Sequence, residues 1–417
     1  MATTDFYVSK GAGASDLNGG GPRLGANDAP VYTIASGGGL GCDSNADGTD
    51  LTDNSGNDWA GVQVDDWLCF DTAGVKEVLR VSAINDDIVT PDPTASFSLT
   101  DKAVRVCGAW ATIDYAASVV SNTHKNAAGD PPRVLIKQGT YAEAVHFDTN
   151  SGTSAIPIIF EAADGAGTVE IDADGSGDNA THFQASYIRL IGIYAHTNGN
   201  SKHPFYVQTG DYLQFYSCFA EGTGTSSTGF FVSGGYAYLH NCRTLSATAD
   251  GFRLGGSNLV IGCSVDACGV YGFNIASASS AVINCIVDSP GSHCYYTNER
   301  VVVLRNCVGY GSTAGSGIYI GGTYSLPRIE NCIFESNNRY GIEVNADWIG
   351  YEDYNAFYGN GIAERLNVLF PGANDVTQVA GSYFVDAVGG DFRLNNTAGR
   401  GALCRTTGFP GTLVELP

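Results

Sequence analysis

Leu239-His-Asn-Cys242, Val260-Ile-Gly-Cys263, Val282-Ile-Asn-Cys285, Leu304-Arg-Asn-Cys307 and Ile329-Glu-Asn-Cys332 repeat one pattern. Each has an apolar residue, a variable one, a residue that tolerates a left-handed bend, and cysteine. Phe215-Tyr-Ser-Cys218 opens the series, whose cysteines lie 24, 21, 22, 22 and 25 residues apart. A second series, Gly-apolar-x-apolar, is interleaved with it: Gly229-Phe-Phe-Val232, Gly251-Phe-Arg-Leu254, Gly272-Phe-Asn-Ile275, Gly317-Ile-Tyr-Ile320 and Gly341-Ile-Glu-Val344, with Cys294-Tyr-Tyr-Thr297 in the remaining slot. Two series sharing one period mark a repeat architecture.

Short alternating runs are strands, and Asn or Gly between them turns the chain with positive φ. A strand cluster returning about every 22 residues leaves no room for a helix in each repeat, so coils must stack in parallel. The fold class is all-β, a right-handed parallel β-helix. Alternation assigns the faces. Phe230, Phe252, Phe273, Tyr295, Ile318 and Ile342 form one inward column, Val232 to Val344 another, and the cysteines a third. Phe231, Arg253, Asn274, Tyr296, Tyr319 and Glu343 point outward. Asn241, Asn284, Asn306 and Asn331 form a ladder at the bend, where the left-handed conformation suits them.

The rest of the chain divides around these coils. Residues 1–30 are a polar, Gly-rich arm or edge segment, and residues 31–108 a small antiparallel β module. Within 109–132, Trp110, Ile113, Ala117 and Val120 share a helix face that would plug the open end of the solenoid. Coils fill 133–349, and 350–417 form a C-terminal cap.

Val134-Leu-Ile-Lys-Gln-Gly-Thr-Tyr-Ala-Glu143, following that helix, resembles the entry of pectate-lyase-like β-helix proteins. Phe384-Val-Asp-Ala-Val-Gly-Gly-Asp-Phe-Arg-Leu394 with Asn395-Asn-Thr-Ala-Gly399 resembles the closing segment of β-helix-repeat proteins of environmental bacteria and bacteriophages. The resemblance covers about residues 108–405. It implies the fold, but the superfamily mixes lyases, hydrolases, epimerases and non-catalytic phage appendages.

The catalytic signatures of that superfamily are missing. The Asn-Thr-Asp, Asp-Asp and His-Gly sets of polygalacturonases do not occur in the coils; the Asp-Asp pairs, Asp65-Asp66 and Asp86-Asp87, lie in the N-terminal module. Arg-x-Pro-x-x-Arg and Asp-Pro-His are absent as well. A glycosidase needs two carboxylates about 5–9 Å apart. Asp266 and Asp288, each three residues after a repeat cysteine, are the best pair, with Glu221 and Glu335 expected in their column. The reading preferred for these residues is solvated turn carboxylates on an acidic protein. A lyase would use Arg243, Arg253 or Arg305 to neutralise a uronate beside a base such as His240. Tyr296, Tyr319 and Arg253 are the candidate glycan contacts. Asp43-Ser-Asn-Ala-Asp-Gly48 matches half of a calcium loop, with Asp43, Asn45 and Asp47 as ligands, although Asn54 stands where a Glu would close it. No other cofactor is indicated.

With 21 Lys and Arg against 43 Asp and Glu, the net charge of −22 excludes a nucleic-acid-coating role. Gly at 55 of 417 residues fits a turn-rich β protein. No apolar run is long enough to span a membrane. The start, Met1-Ala-Thr-Thr-Asp-Phe-Tyr-Val8, has no secretory leader pattern, so the expectation is a virion or extracellular surface reached without one. Among the 12 cysteines, those repeating in a column have parallel Cβ vectors, which suits thiols better than bridges. Phe219, Ile286, Val308 and Ile333 on one side of the bend, and Ile261 and Ile283 on the other, make an apolar strip. It reads as a self-association interface, a homotrimer by analogy with phage appendages, or as a surface covered by residues 350–417. The expected function is a non-catalytic structural or appendage protein, a bacteriophage virion component meeting other virion proteins and a surface glycan. The alternative is a polysaccharide-degrading enzyme, and a third reading is a bacterial adhesin.

Overall fold

The alternation that predicts the coils is realised residue by residue in the computed structural model. It describes residues 5–10, 32–34, 42–44, 51–53, 62–63, 67–72, 75–85, 88–92, 104–106, 109–125, 129–276, 279–299, 302–322, 327–348, 350–377, 381–398, 400–402 and 404. The chain forms two compact units, residues 1–172 with 182–194 and residues 173–181 with 195–417. Both contribute coils of the right-handed parallel β-helix.

In the first unit, Asp5–Val8, Arg133–Ile136, Ile158–Ala162 and Ile188–Ile191 pair side by side in parallel. The start of the arm is thus an edge strand, with Phe6 and Val8 buried. The helix Ile113–Val119 begins at Thr112, whose hydroxyl accepts the Tyr115 N–H, a cap that stabilises by about 0.5–2 kcal/mol. Glu143, the last residue of the entry stretch, accepts the Ile113 and Asp114 N–H groups at 2.9 and 3.1 Å and so fastens the helix to the first coil. The β module is an antiparallel sheet of seven strands among the described residues, including Trp67–Thr72, Val75–Asn85 and Val104–Val106.

In the second unit three parallel sheets run the length of the repeat. The first contains the strands before the bend, from Leu213–Tyr216 to Tyr351–Asp353. The second contains those after the cysteines, from Phe219–Gly222 to Val376–Thr377, and the third the Gly-led strands, from Phe205–Val207 to Ala363–Val368. Phe205, Phe230, Phe252 and Phe273 stack with centroids 4.5, 4.8 and 4.6 Å apart, and Tyr295 extends the stack at 5.5 Å. The cysteine column is buried and unbridged, and Cys242, Cys285, Cys307 and Cys332 point their thiols at backbone carbonyls of the preceding coil. Asn241, Asn284, Asn306 and Asn331 all have φ between +54° and +56°. Asn331 donates to Asn306, and Asn306 to Asn284, at 2.7 and 3.0 Å. Each link adds on the order of 1 kcal/mol.

The coils do not end at residue 349. Tyr351–Asp353, Ala356–Tyr358 and Ala363–Val368 add a further turn in register with the one before. Its core positions are polar: Glu352 follows Ile329, Asn355 follows Cys332, and Arg365 follows Ile342. Arg365 donates to Glu352 at 2.7 Å and also to Asp375, while Asn355 donates to Glu352 at 2.8 Å. The apolar pattern stops one turn before the backbone geometry does, which is why the sequence reading ended early. Beyond this turn, Phe384–Asp386 and Asp391–Leu394 form an antiparallel hairpin. Among the described residues no helix is long and apolar enough to cross a membrane.

Candidate functional site

Two outward surfaces of the second unit hold the candidate residues. On the third sheet, strand register places Arg253, Asn274, Tyr296, Tyr319 and Glu343 on successive rungs. Tyr296 and Tyr319 are brought together, stacked 5.6 Å apart with rings 2° from parallel. Tyr271 stacks on Tyr296 at 4.4 Å and His293 on Tyr319 at 4.7 Å. Because faces are used in stacking, the surface shows ring edges and hydroxyls. Arg253 is separated from the tyrosines by Asn274 and lies 4.9 Å over the Phe231 ring. Asn274 donates to Asp250 at 2.8 Å, and burial pushes the Asp250 carboxyl up. Burial pushes His293 down to about 4, and its Nδ1 accepts the Ser316 N–H at 2.9 Å, so the ring is neutral near pH 7. Sequence reasoning missed Tyr271, His293 and Asp250. Their signal was position: each immediately precedes the first residue of the Gly-apolar-x-apolar slot.

On the second sheet, Asp266 is clasped by Arg243, whose Nε donates at 2.8 Å and whose Nη2 binds the same oxygen. Asp288 is raised by burial first and by the Asp266 charge second, and it accepts the Ser289 hydroxyl at 2.7 Å. The expected four-carboxylate column is broken. Glu221 lies opposite Ser246 across a bulge, and Tyr310 stands between Asp288 and Glu335. Glu335 is buried beneath the C-terminal segment and accepts the Tyr383 N–H at 3.0 Å; burial raises its carboxyl. The lyase set is also dispersed. His240 and Arg305 lie in one column of the first sheet with Ile261 and Ile283 between them, and Arg305 is tied to Glu330 at 2.8 Å.

Ile261 and Ile283 face outward on the first sheet, half-buried, while Phe219 and Ile286 are half-buried on the second. Val308 and Ile333 pack against Phe384, Phe392 and Leu394 of the hairpin. That half of the strip is therefore covered by the chain itself. Of the calcium ligands, Asp43 lies in the strand Cys42–Ser44, paired with Leu51–Asp53; Asn45 and Asp47 lie outside the described residues.

Residues 228–363 match the family described as the right handed beta helix region, and the protein is of that fold class. No curated protein matches the chain. Among solved structures, it is similar to ORF18 of Geobacillus virus E2, at 16% identity over 64% of this chain and 57% of that one, with a TM-score of 0.40. Pectin methylesterase from carrot is similar at 12% identity over 73% and 94%, TM-score 0.33. The catalytic domain of a GH87 α-1,3-glucanase in complex with nigerose is similar at 11% over 84% and 90%, TM-score 0.27.

Proposed function

We propose that the chain is a non-catalytic structural protein, a bacteriophage virion component in the setting its entry and closing segments resemble. In this reading the outer face of the third sheet contacts a surface glycan, and copies associate as a homotrimer. The observation that carries it is the commitment of the carboxylates. Asp266 is neutralised by Arg243 and Glu335 holds a backbone N–H, so Asp288 lacks an unencumbered partner for the two-carboxylate chemistry. Tyr271, Tyr296 and Tyr319 supply a continuous surface of hydroxyls and ring edges for glycan hydroxyls instead.

The test is to incubate the full chain with candidate host polysaccharides and measure both binding and release of reducing ends. Binding without release, weakened at least tenfold by Tyr296→Ala or Tyr319→Ala, is the expected result. A polysaccharide-degrading enzyme is the second reading, favoured by the raised carboxyl of Asp288. Release of reducing ends that disappears in Asp288→Ala would establish it and overturn the first.

A further inference from the structure

The hairpin that covers Val308 and Ile333 also walls one side of an open cleft. Its turn, Val388-Gly389-Gly390, and Phe392 line this cleft of about 500 Å³ together with Arg243, Asp266 and Asp288 of the second sheet. That volume falls within the range of small-ligand sites. The wall is built in: Glu335 accepts the Tyr383 N–H, and the Asn395 amide donates to the Ser382 and Phe384 carbonyls at 2.8 and 3.0 Å. Gly390, in the turn, takes φ +79°, a conformation that favours glycine, with open space beside it.

We propose that this cleft binds a neutral, hydroxyl-rich ligand the size of one hexose. Arg243 gives Asp266 its Nε and Nη2 hydrogens, and its Nη1 has no partner among the described residues. A sugar diol can accept from that nitrogen and donate to Asp288, because each hydroxyl does both. Phe392 offers a ring against which the apolar face of a pyranose packs. The charges select against other classes. Arg243, Asp266 and Asp288 sum to −1 when ionised, and the whole chain carries −22, so a uronate or phosphate is repelled. The Arg243 guanidinium equally disfavours a metal cation. The site is independent of the third-sheet surface, and either can fail without the other.

The experiment is titration of the full chain with the methyl glycosides of glucose, galactose and mannose, and with galacturonate, followed by saturation-transfer NMR and calorimetry. At least one neutral glycoside is expected to bind with a Kd in the millimolar range, at least tenfold tighter than galacturonate. Asp288→Ala should weaken that binding at least tenfold. Asp288→Asn, which preserves the side chain's shape, should weaken it at least threefold with an unchanged melting temperature. No binding by any neutral glycoside, tighter binding of galacturonate, or wild-type affinity in Asp288→Asn would each overturn the proposal.

Discussion

Gly262 interrupts the asparagine ladder between Asn241 and Asn284, meeting the bend's positive φ (+65°) without a side-chain amide. A Cβ there would come within 2.5 Å of the Asn241 side-chain oxygen, the end of a flexible side chain, and in the links at 306 and 331 the equivalent amide oxygen accepts from the next asparagine. Gly262→Asn should therefore connect Asn241 to Asn284 and stabilise by roughly 0.5–1.5 kcal/mol, seen as a higher urea midpoint at unchanged slope. Gly262→Val should destabilise, since a β-branched residue is strained at that φ. A lower midpoint for the asparagine variant would mean the ladder adds nothing. The outward and inward faces are tested one rung away. Phe252 is buried between two stacked rings, and Phe252→Ala should cost about 3–5 kcal/mol. Arg253, exposed beside it, should cost less than about 1 kcal/mol on change to Ala. Equal losses would place the register one residue off. These positions were legible because the period of two and the period of the coil coincide there. Tyr271 and His293 were not, because the position they share keeps the coil period but changes residue type from Asp250 to Tyr271 to His293, so no repeated residue marks it.

At the scale of elements, the closing turn is the part the hydrophobic pattern concealed. Glu352, Asn355 and Arg365 occupy core columns that are apolar in the earlier turns, and Tyr354 keeps the bend at φ +59°. The turn survives this substitution because its polar groups satisfy one another, with Arg365 also 4.3 Å from the Phe357 ring. Two carboxylates share this one guanidinium. Burial, followed by the nearby Glu352, pushes Asp375 up to about 7. A carboxyl raised on folding binds its proton more tightly in the native state. Its contribution is therefore complete below the unfolded value near ~4 and is lost as pH rises through about 7. Asp375→Asn should show a smaller loss of stability between pH 4 and pH 8 than the wild type, measured by urea midpoints; an identical pH profile would remove Asp375 from the cap. The cysteine column gives a second test. Cys242, Cys263, Cys285 and Cys307 are free and buried, so adding reductant should leave the melting temperature unchanged. Coil-to-coil bridges found by mass spectrometry of unreduced peptides would contradict this.

For the whole molecule, the open question is what meets the apolar residues that the hairpin does not reach. Val308 and Ile333 are covered, which removes the far half of the expected strip. The near half continues onto the first sheet. Register places Ile261 and Ile283 in one outward column, with Leu259, Ala281 and Val303 in the neighbouring one, all half-buried. At the edge, Tyr212 and Tyr236 stack 5.2 Å apart and are 50% and 51% exposed. Arg305 and Arg328, both bound to Glu330, close the patch on its far side. A contiguous apolar face with a charged border has the composition of a subunit contact, and identical chains favour closed symmetry. The homotrimer we propose would bury this face rather than the strip under the hairpin. The net charge of −22 opposes association, so the trimer should strengthen with salt as the repulsion is screened. Light scattering in 0.15 M and 0.5 M NaCl should give three times the chain mass of 43.6 kDa, with the smaller dissociated fraction at the higher salt. Ile283→Asp should yield the monomer, whereas Ile333→Asp, beneath the hairpin, should lower stability before it changes mass. A monomer for the wild type at micromolar concentration would reject the trimer, and an Ile283→Asp variant that remains trimeric would reject this face.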